Sequence, residues 1–263
     1  MTTQNLETLE VVREGAVLHV RLNRPRVRNA FNGALVRELQ QVFGAANTDE
    51  ARVVLLAGNG KSFSAGADVS WMTEQADLPE AENRASAVEM ANAFLAIARC
   101  RKPVMVRIHG HALGGGCGLT AAADIAICTD TTVFGLTEAK LGIVPAVISP
   151  FVMQKIGAGR ARALFLTAER FDGREAERIG LVHKAVPEDQ LDEEVQRVIE
   201  QLLSSGPAAV ASAKELIKAV APLSLEAAIS TTSDWIARLR STPEAKEGMT
   251  AFLEKRKPNW VEE

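Results

Sequence analysis

Apolar residues along this chain follow two different rhythms, and the rhythm changes near residue 149. Residues 9–22 hold two apolar, β-branched runs, VV and AVLHVRL, broken by Glu14-Gly15, which predicts a hairpin. Asn32-Gly33 opens a helical stretch to about residue 46. ARVVLLAG (51–58) is a continuous apolar run ending in glycine, the pattern of a strand buried on both faces. Residues 80–100 are alanine-rich with helical spacing, and KPVMVRIHG (102–110) is the next buried strand. A glycine run, 114–118, follows it; LTAAAD then starts a helix, and IAIC (125–128) is a third strand. From about residue 149 the chain is mostly helical, with amphipathic segments at 188–204, 207–220, 224–240 and 243–256. Alternating strands and helices with glycine at strand ends predict an α/β core with buried sheets. Neither a low-complexity linker nor a 20–50-residue repeat interrupts it, so the pattern is a core followed by a packed helical tail.

Composition narrows the function classes. The 263 residues allow one domain, or one domain with an appendage. A net charge of -3 argues against nucleic acid as a partner. No apolar run reaches membrane-spanning length, so no membrane partner is expected. The three cysteines, Cys100, Cys117 and Cys128, form no CxxC pair and no zinc-ligand spacing with histidine, which fits a reduced setting. The polar, acidic start MTTQNLETLE resembles neither a signal nor a transit peptide, and a cytoplasmic location is expected.

Two glycine-bearing loops follow buried strands: SFSAGAD (62–68) and HGHALGGGCGL (109–119). Glycine lets backbone approach a ligand, and free N–H groups at a helix start favour negative charge. Neither GxxxxGK[ST] nor a GxGxxG strand–helix unit is present, so the common phosphate loops are excluded. On residues alone, an anion site and a tight helix packing remain equal readings of these glycines.

The segments NRPRVRNAF (23–31), SAGAD (64–68), ALGGGCGL (112–119) and FGLTEAKLGIVP (134–145) resemble, in order, the signatures of the enoyl-CoA hydratase/isomerase, or crotonase, superfamily. LTAERFDGREAERIGLV (166–182) and FLEKRKPNW (252–260) extend the likeness over nearly the whole chain. The resemblance implies a crotonase (ClpP-like) α/β fold, with a repeated ββα spiral core over residues 1–195. Residues 196–263 are implied to be a helical region that packs in a homotrimer or dimer of trimers. It implies that backbone N–H groups of Ala67 and Gly115 bind a thioester oxygen and that Glu138 is the acid/base. It further implies contacts to substrate and coenzyme A from Arg26, Arg28, Ala30, Ala65, Asp68, Val69, Trp71, Leu113, Gly116, Gly118 and Thr137. Trp71 reads equally well as a core aromatic. Phe252 and Lys255, beside the basic Arg256 and Lys257, are implied to reach the coenzyme A of a neighbouring subunit. No metal or redox cofactor is expected, coenzyme A being part of the substrate.

One departure from the pattern matters. Hydratases of this type usually carry two glutamates, and the position of the first is Gly118 here. Glu138, among apolar residues, is expected to have a raised pKa; the competing role is a cap beside Thr137. DVSWM (68–72), GGGCGL, VPAVISPFV (144–152) and AERFDGRE (168–175) resemble the glycine-variant branch of bacterial methylglutaconyl-CoA hydratases. Val147 and Ile148 stand where a glycine-rich turn is usual and are expected to narrow the acyl end, with Gly118 opening space beside them. His19 and His183 are expected to be structural; His109 and His111 are candidates for a proton relay or, more simply, for loop hydrogen bonds. Cys117 is read as packing. The implied activity is hydration of an enoyl-CoA, with 3-methylglutaconyl-CoA as substrate. An isomerase or decarboxylase using one glutamate, and a non-catalytic acyl-CoA or RNA binder, are the rival readings.

Overall fold

The computed structural model describes residues 3–261. Strand β1 (Thr3–Asn5) pairs antiparallel with β2 (Leu9–Glu14), which turns through Gly15 into β3 (Val17–Leu22) as the expected hairpin. Helix α1 (Gly33–Ala45) starts on Asn32, whose side chain accepts from Leu35 N–H at 2.9 Å. β4 (Val53–Gly58) follows, then α2 (Val69–Ala76), α3 (Glu80–Arg99) and β5 (Val104–Ile108). β6 (His111–Leu113) leads into α4 (Gly115–Ala122), β7 (Ile125–Thr129) and β8 (Val133–Gly135). α5 (Ser149–Thr167), β9 (Arg170–Phe171), α6 (Gly173–Arg178) and β10 (Lys184–Val186) complete the core. α7 (Leu191–Ser204), α8 (Pro207–Val220), α9 (Leu225–Arg240) and α10 (Pro243–Leu253) form the helical tail. Among the described residues no helix is long and apolar enough to cross a membrane.

The main sheet has seven strands in the order β1-β2-β3-β4-β5-β7-β10, parallel from β3 onward. Its central strands are covered on both faces. Along β4, Val54 and Leu56 enter the core under α1, α3, α4 and α5, while Val53 and Leu55 face α7. β5 divides the same way, with Val104, Val106 and Ile108 on one side and Met105 on the other. Burial on both faces is why these runs show no alternation. Each fully buried Leu or Val removes enough apolar surface to contribute about 2 kcal/mol. α7 covers the second face with Leu191, Val195 and Ile199, one stripe at helical spacing. A smaller sheet, β6-β8-β9, carries the second glycine loop and the turn after it.

Two elements differ from the sequence reading. α4 begins at Gly115, not at Leu119: the glycine run is the first turn of the helix, and Gly118 N–H donates to Gly114 O at 3.1 Å. α2 was not expected; it is short, carries no buried residue and depends on Asp68 as its N-cap, which accepts from Ser70 N–H. The tail is tied to the core by Lys214–Asp124 (2.6 Å) and by Arg52, which donates to Trp260 O (2.7 Å) and Ser205 O (2.6 Å).

The turn between β3 and α1 is held by Asn29, which is fully buried with a left-handed φ of 56°. Its side chain accepts from Arg24 N–H (2.8 Å) and donates to Asn59 O and Ser62 O (both 2.9 Å). That pins the 23–31 turn to the chain entering the first glycine loop. Asn29→Ala strands a buried donor and two acceptors, so it is expected to destabilise the fold by about 3 kcal/mol, read as a lower urea midpoint. A loss under about 1 kcal/mol would show that these bonds do not hold the turn.

Candidate active site

The two glycine loops meet through backbone pairing. Ser64 N–H donates to His111 O (2.9 Å), and Leu113 N–H donates back to Ser64 O (3.0 Å). On the other side Phe31 N–H donates to Gly66 O (2.7 Å), and Asp68 N–H to Phe31 O (2.9 Å). This pairing turns the N–H of Ala67 away from Phe31, and it finds no acceptor among the described residues. Gly115 is the first residue of α4, so its N–H has no intrahelical partner and none elsewhere among the described residues. Two left-handed glycines make the approach possible, Gly66 (φ 89°) and Gly114 (φ 48°). A Cβ on Gly66 would sit 2.9 Å from Leu113 O. Two unclaimed donors at a helix start form a place for a developing oxyanion.

Glu138 opens a short 3-10 turn, Glu138–Leu141, just beyond β8. Its Oε1 lies 3.1 Å from where a Cβ on Gly114 would stand, so the carboxylate flanks the glycine loop. Its Oε2 is buried with no hydrogen-bond partner among the described residues. Burial raises the Glu138 pKa above the ordinary carboxylate value, and a bond from its own backbone N–H partly opposes the rise. Thr137 makes no side-chain capping bond, and Glu138 itself stands in the first turn of the 3-10 segment.

These groups line one cavity of about 390 Å³. Of the residues expected at the site, Ala65, Ala67, Val69, Leu113, Gly115, Thr137 and Glu138 line it. The others lie outside its lining. Arg26 and Arg28 are exposed on the turn before α1, and Ala30 is buried. Asp68 pairs with Arg24 (3.1 Å) while capping α2, and Trp71 packs against the main core. Gly116 is buried within α4. Phe252 is exposed at the end of α10, and Lys255 is exposed just past it. Arg256 is bound by Glu247 (2.7 Å) and Glu254 (2.7 Å), so part of the basic cluster closes the chain end.

Gly118 requires a correction. It opens no space. A Cβ there would collide with Ile148 Cγ2 and stand 2.8 Å from Phe94 Cε1. Ile148 already occupies that volume. The remaining candidates resolve simply. His109 bonds Gly60 O (2.8 Å) and His111 bonds Ser62 Oγ (3.2 Å); neither lines the cavity. Burial, then the charges of Arg28 and Arg170, lower the His111 pKa. His183 accepts from Ala126 N–H and is structural. Cys117 donates to Ala112 O, and burial pushes its thiol up to about 12, so it is no nucleophile at neutral pH.

The sequence reading missed Phe31, Met72, Met90, Leu141, Ile143 and Arg170, all in the cavity wall. Met72 and Met90 come from two helices and carry no local signature of a site. The Arg170 side chain, at the start of β9, is exposed and makes no hydrogen bond or ion pair among the described residues, while its backbone pairs with Gly135. Arg170 falls within the AERFDGRE segment, which the sequence reading used for the family likeness without placing the residue at the site.

Residues 12–263 match the enoyl-CoA hydratase/isomerase family. A crotonyl-CoA hydratase of Syntrophomonas wolfei is 36% identical over 256 residues, 96% of each chain. A 2,3-dehydroadipyl-CoA hydratase of Escherichia coli is 32% identical over 259 residues, 97% of this chain and 99% of that one. A solved enoyl-CoA hydratase from Shewanella pealeana superposes with a TM-score of 0.93 at 38% identity, covering 97% of this chain and 96% of its own. Two free N–H groups beside a buried carboxylate, on a fold shared over its whole length with hydratases, make this chain a member of the enoyl-CoA hydratase/isomerase, or crotonase, family.

Proposed function

We propose that this hydro-lyase adds water to a 2-enoyl-CoA, that its substrate is 3-methylglutaconyl-CoA, and that Glu138 works alone. The observation that carries the reading is the half-buried Glu138 carboxylate, its Oε2 buried and without a partner among the described residues, beside the unclaimed N–H groups of Ala67 and Gly115. Glu138 takes a proton from water as its oxygen bonds to C3 of the enoyl group. The C2–C3 π electrons move toward the thioester, and negative charge collects on its oxygen at the two N–H donors. Glu138 then returns the proton to C2, leaving a 3-hydroxyacyl-CoA and an unchanged enzyme. Losing one such donor typically costs about 3–4 kcal/mol in the barrier. This chemistry needs proton transfer and oxyanion binding, and coenzyme A enters with the substrate; no separate cofactor is invoked.

Two observations favour a carboxylated acyl group. Arg170 brings to the cavity wall an exposed positive charge with no ion-pair partner among the described residues. A relative 32% identical to this chain is named for a thioester of a dicarboxylic acid. The tail suits a protomer of a trimer or dimer of trimers, because Ile217, Leu225, Phe252 and Leu253 are 69–86% exposed. In that assembly Phe252 and Lys255 would meet a neighbour's coenzyme A. Three buried, unpaired thiols suit a reducing cytoplasm.

A panel of enoyl-CoA thioesters followed by mass spectrometry is expected to show gain of water; double-bond migration or loss of CO2 without hydration would overturn the reading. Glu138→Gln is expected to lower kcat by about 10²–10⁴-fold. The base must be ionised and its pKa is raised, so kcat/KM is expected to fall with decreasing pH along a limb above the ordinary carboxylate value of about 4.3. The same shift has a stability sign. A raised folded pKa means the fold prefers the protonated form, so stability falls as pH rises through that pKa, and Glu138→Gln is expected to raise Tm at neutral pH. An unchanged kcat would remove Glu138 from the reaction.

Arg170→Met is expected to reduce kcat/KM for 3-methylglutaconyl-CoA by about tenfold or more beyond its effect on crotonyl-CoA. Both thioesters carry coenzyme A, so equal losses would assign Arg170 to the coenzyme and not to an acyl carboxylate.

A further inference from the structure

Gly114 is the N-cap of α4 and Gly118 lies one turn into the helix, its N–H donating to Gly114 O at 3.1 Å. Each is covered by side chains from elsewhere in the fold. Over Gly114 stands the carboxylate of Glu138, 3.1 Å from a built Cβ. Over Gly118 stands Ile148, whose Cβ would lie 3.1 Å from a built Cβ and whose Cγ2 would be closer still. Ile148 therefore fills, with hydrocarbon, the space one turn from Glu138 that any side chain at position 118 would need. Only 3% of Ile148 remains exposed, and it lines the cavity.

This wall is braced. Phe94, fully buried, closes the other side of Gly118 at 2.8 Å from a built Cβ. Its ring lies between Phe31 (centroids 5.7 Å apart) and Phe151 (5.9 Å). The Ile148 backbone is anchored too: its carbonyl accepts from Val152 N–H at 3.1 Å in the first turn of α5. Ile148, buried in the main core cluster, belongs to a packed wall and not to a surface loop.

We infer that Ile148 is a specificity-determining residue of this site: seated over Gly118 and against Phe94, it walls off the cavity beside Glu138 and selects compact, branched acyl groups over long straight chains. The inference rests on the acyl-CoA reading of the cavity but not on hydration. A straight chain long enough to run past the carboxylate along α4 meets Ile148, whereas a short acyl group ends before it. In an apolar pocket one methylene changes discrimination by about 10–200-fold, so a filled side-chain volume is enough to set the preference.

The test uses saturated thioesters, which bind without turning over. Calorimetric Kd values for octanoyl-CoA and isovaleryl-CoA are compared between the wild-type enzyme, Ile148→Val and Ile148→Ala. The ratio of octanoyl to isovaleryl affinity is expected to rise about tenfold or more in Ile148→Ala, and by less in Ile148→Val. A ratio unmoved within about twofold in folded variants would overturn the inference, since an open volume would then have no effect on chain length. Failure of the hydration assay would sink the lyase reading and leave these ratios standing. The steric pairing has its own readout: Gly118→Ala is expected to lower Tm, and Gly118→Ala with Ile148→Ala to recover part of the loss. Strict additivity of the two substitutions would show that Ile148 does not occupy the space over Gly118, and would overturn the inference as well.

Discussion

The backbone around Gly66 lies against the backbone of Leu113 and Gly114, and that contact tolerates no Cβ on Gly66, where one would stand 2.9 Å from the Leu113 carbonyl oxygen. Much of the site follows from it. The contact sets the two loops side by side, so that one unclaimed N–H from each faces the same cavity. It is supported from outside by parallel pairing of Ser64 with Ala112 and of Phe31 with Ala67. The buried Asn29 pins the turn that supplies Phe31. Preorganisation of this kind is what makes backbone donors effective: their dipoles are already aimed when charge develops, and no reorientation is needed.

The same packing makes Glu138 useful. The turn that carries it follows β8, and Gly135 O at the end of β8 accepts from Gly114 N–H at 2.8 Å. One hydrogen bond thus couples the turn that carries Glu138 to the second glycine loop. A carboxylate in water is a poor proton acceptor because its pKa is far below neutrality; withdrawing it from solvent raises that pKa and strengthens it as a base. Ionised Glu138 with an unsatisfied buried oxygen is a stability cost to the fold, set beside the unclaimed N–H groups of Ala67 and Gly115.

The sheet was readable because β4 and β5 are buried on both faces and so appear as unbroken apolar runs. The stripe of α7 was readable because Leu191, Val195 and Ile199 repeat at helical spacing. That Ala67, Gly115 and Glu138 come together at one cavity was readable because ordered motifs carry them, and a motif records local backbone shape. What could not be read were relations between distant segments. α2 hides behind a single capping aspartate, Asp68, whose carboxylate caps the helix and pairs with Arg24. Gly118 looked like a vacancy because a glycine in a string says nothing of what packs on it. Its filler, Ile148, lies thirty residues later in the sequence and reaches it only through the fold.

That filler changes the electrostatics as well as the shape. In a site with two carboxylates, each raises the other's pKa by like-charge repulsion, and the protons belong to the pair. Here the space a side chain at 118 would need is hydrocarbon, and the causes acting on Glu138 are burial, which raises its pKa, and its own backbone N–H, which lowers it. A single group titrating in an apolar surround has one protonation step to tune. Its basicity is then governed by how well the cavity excludes water, and Ile148 is among the residues that exclude it. The wall that limits the acyl group therefore also helps set the strength of the base, so acyl fit and proton transfer are properties of the same packed contact.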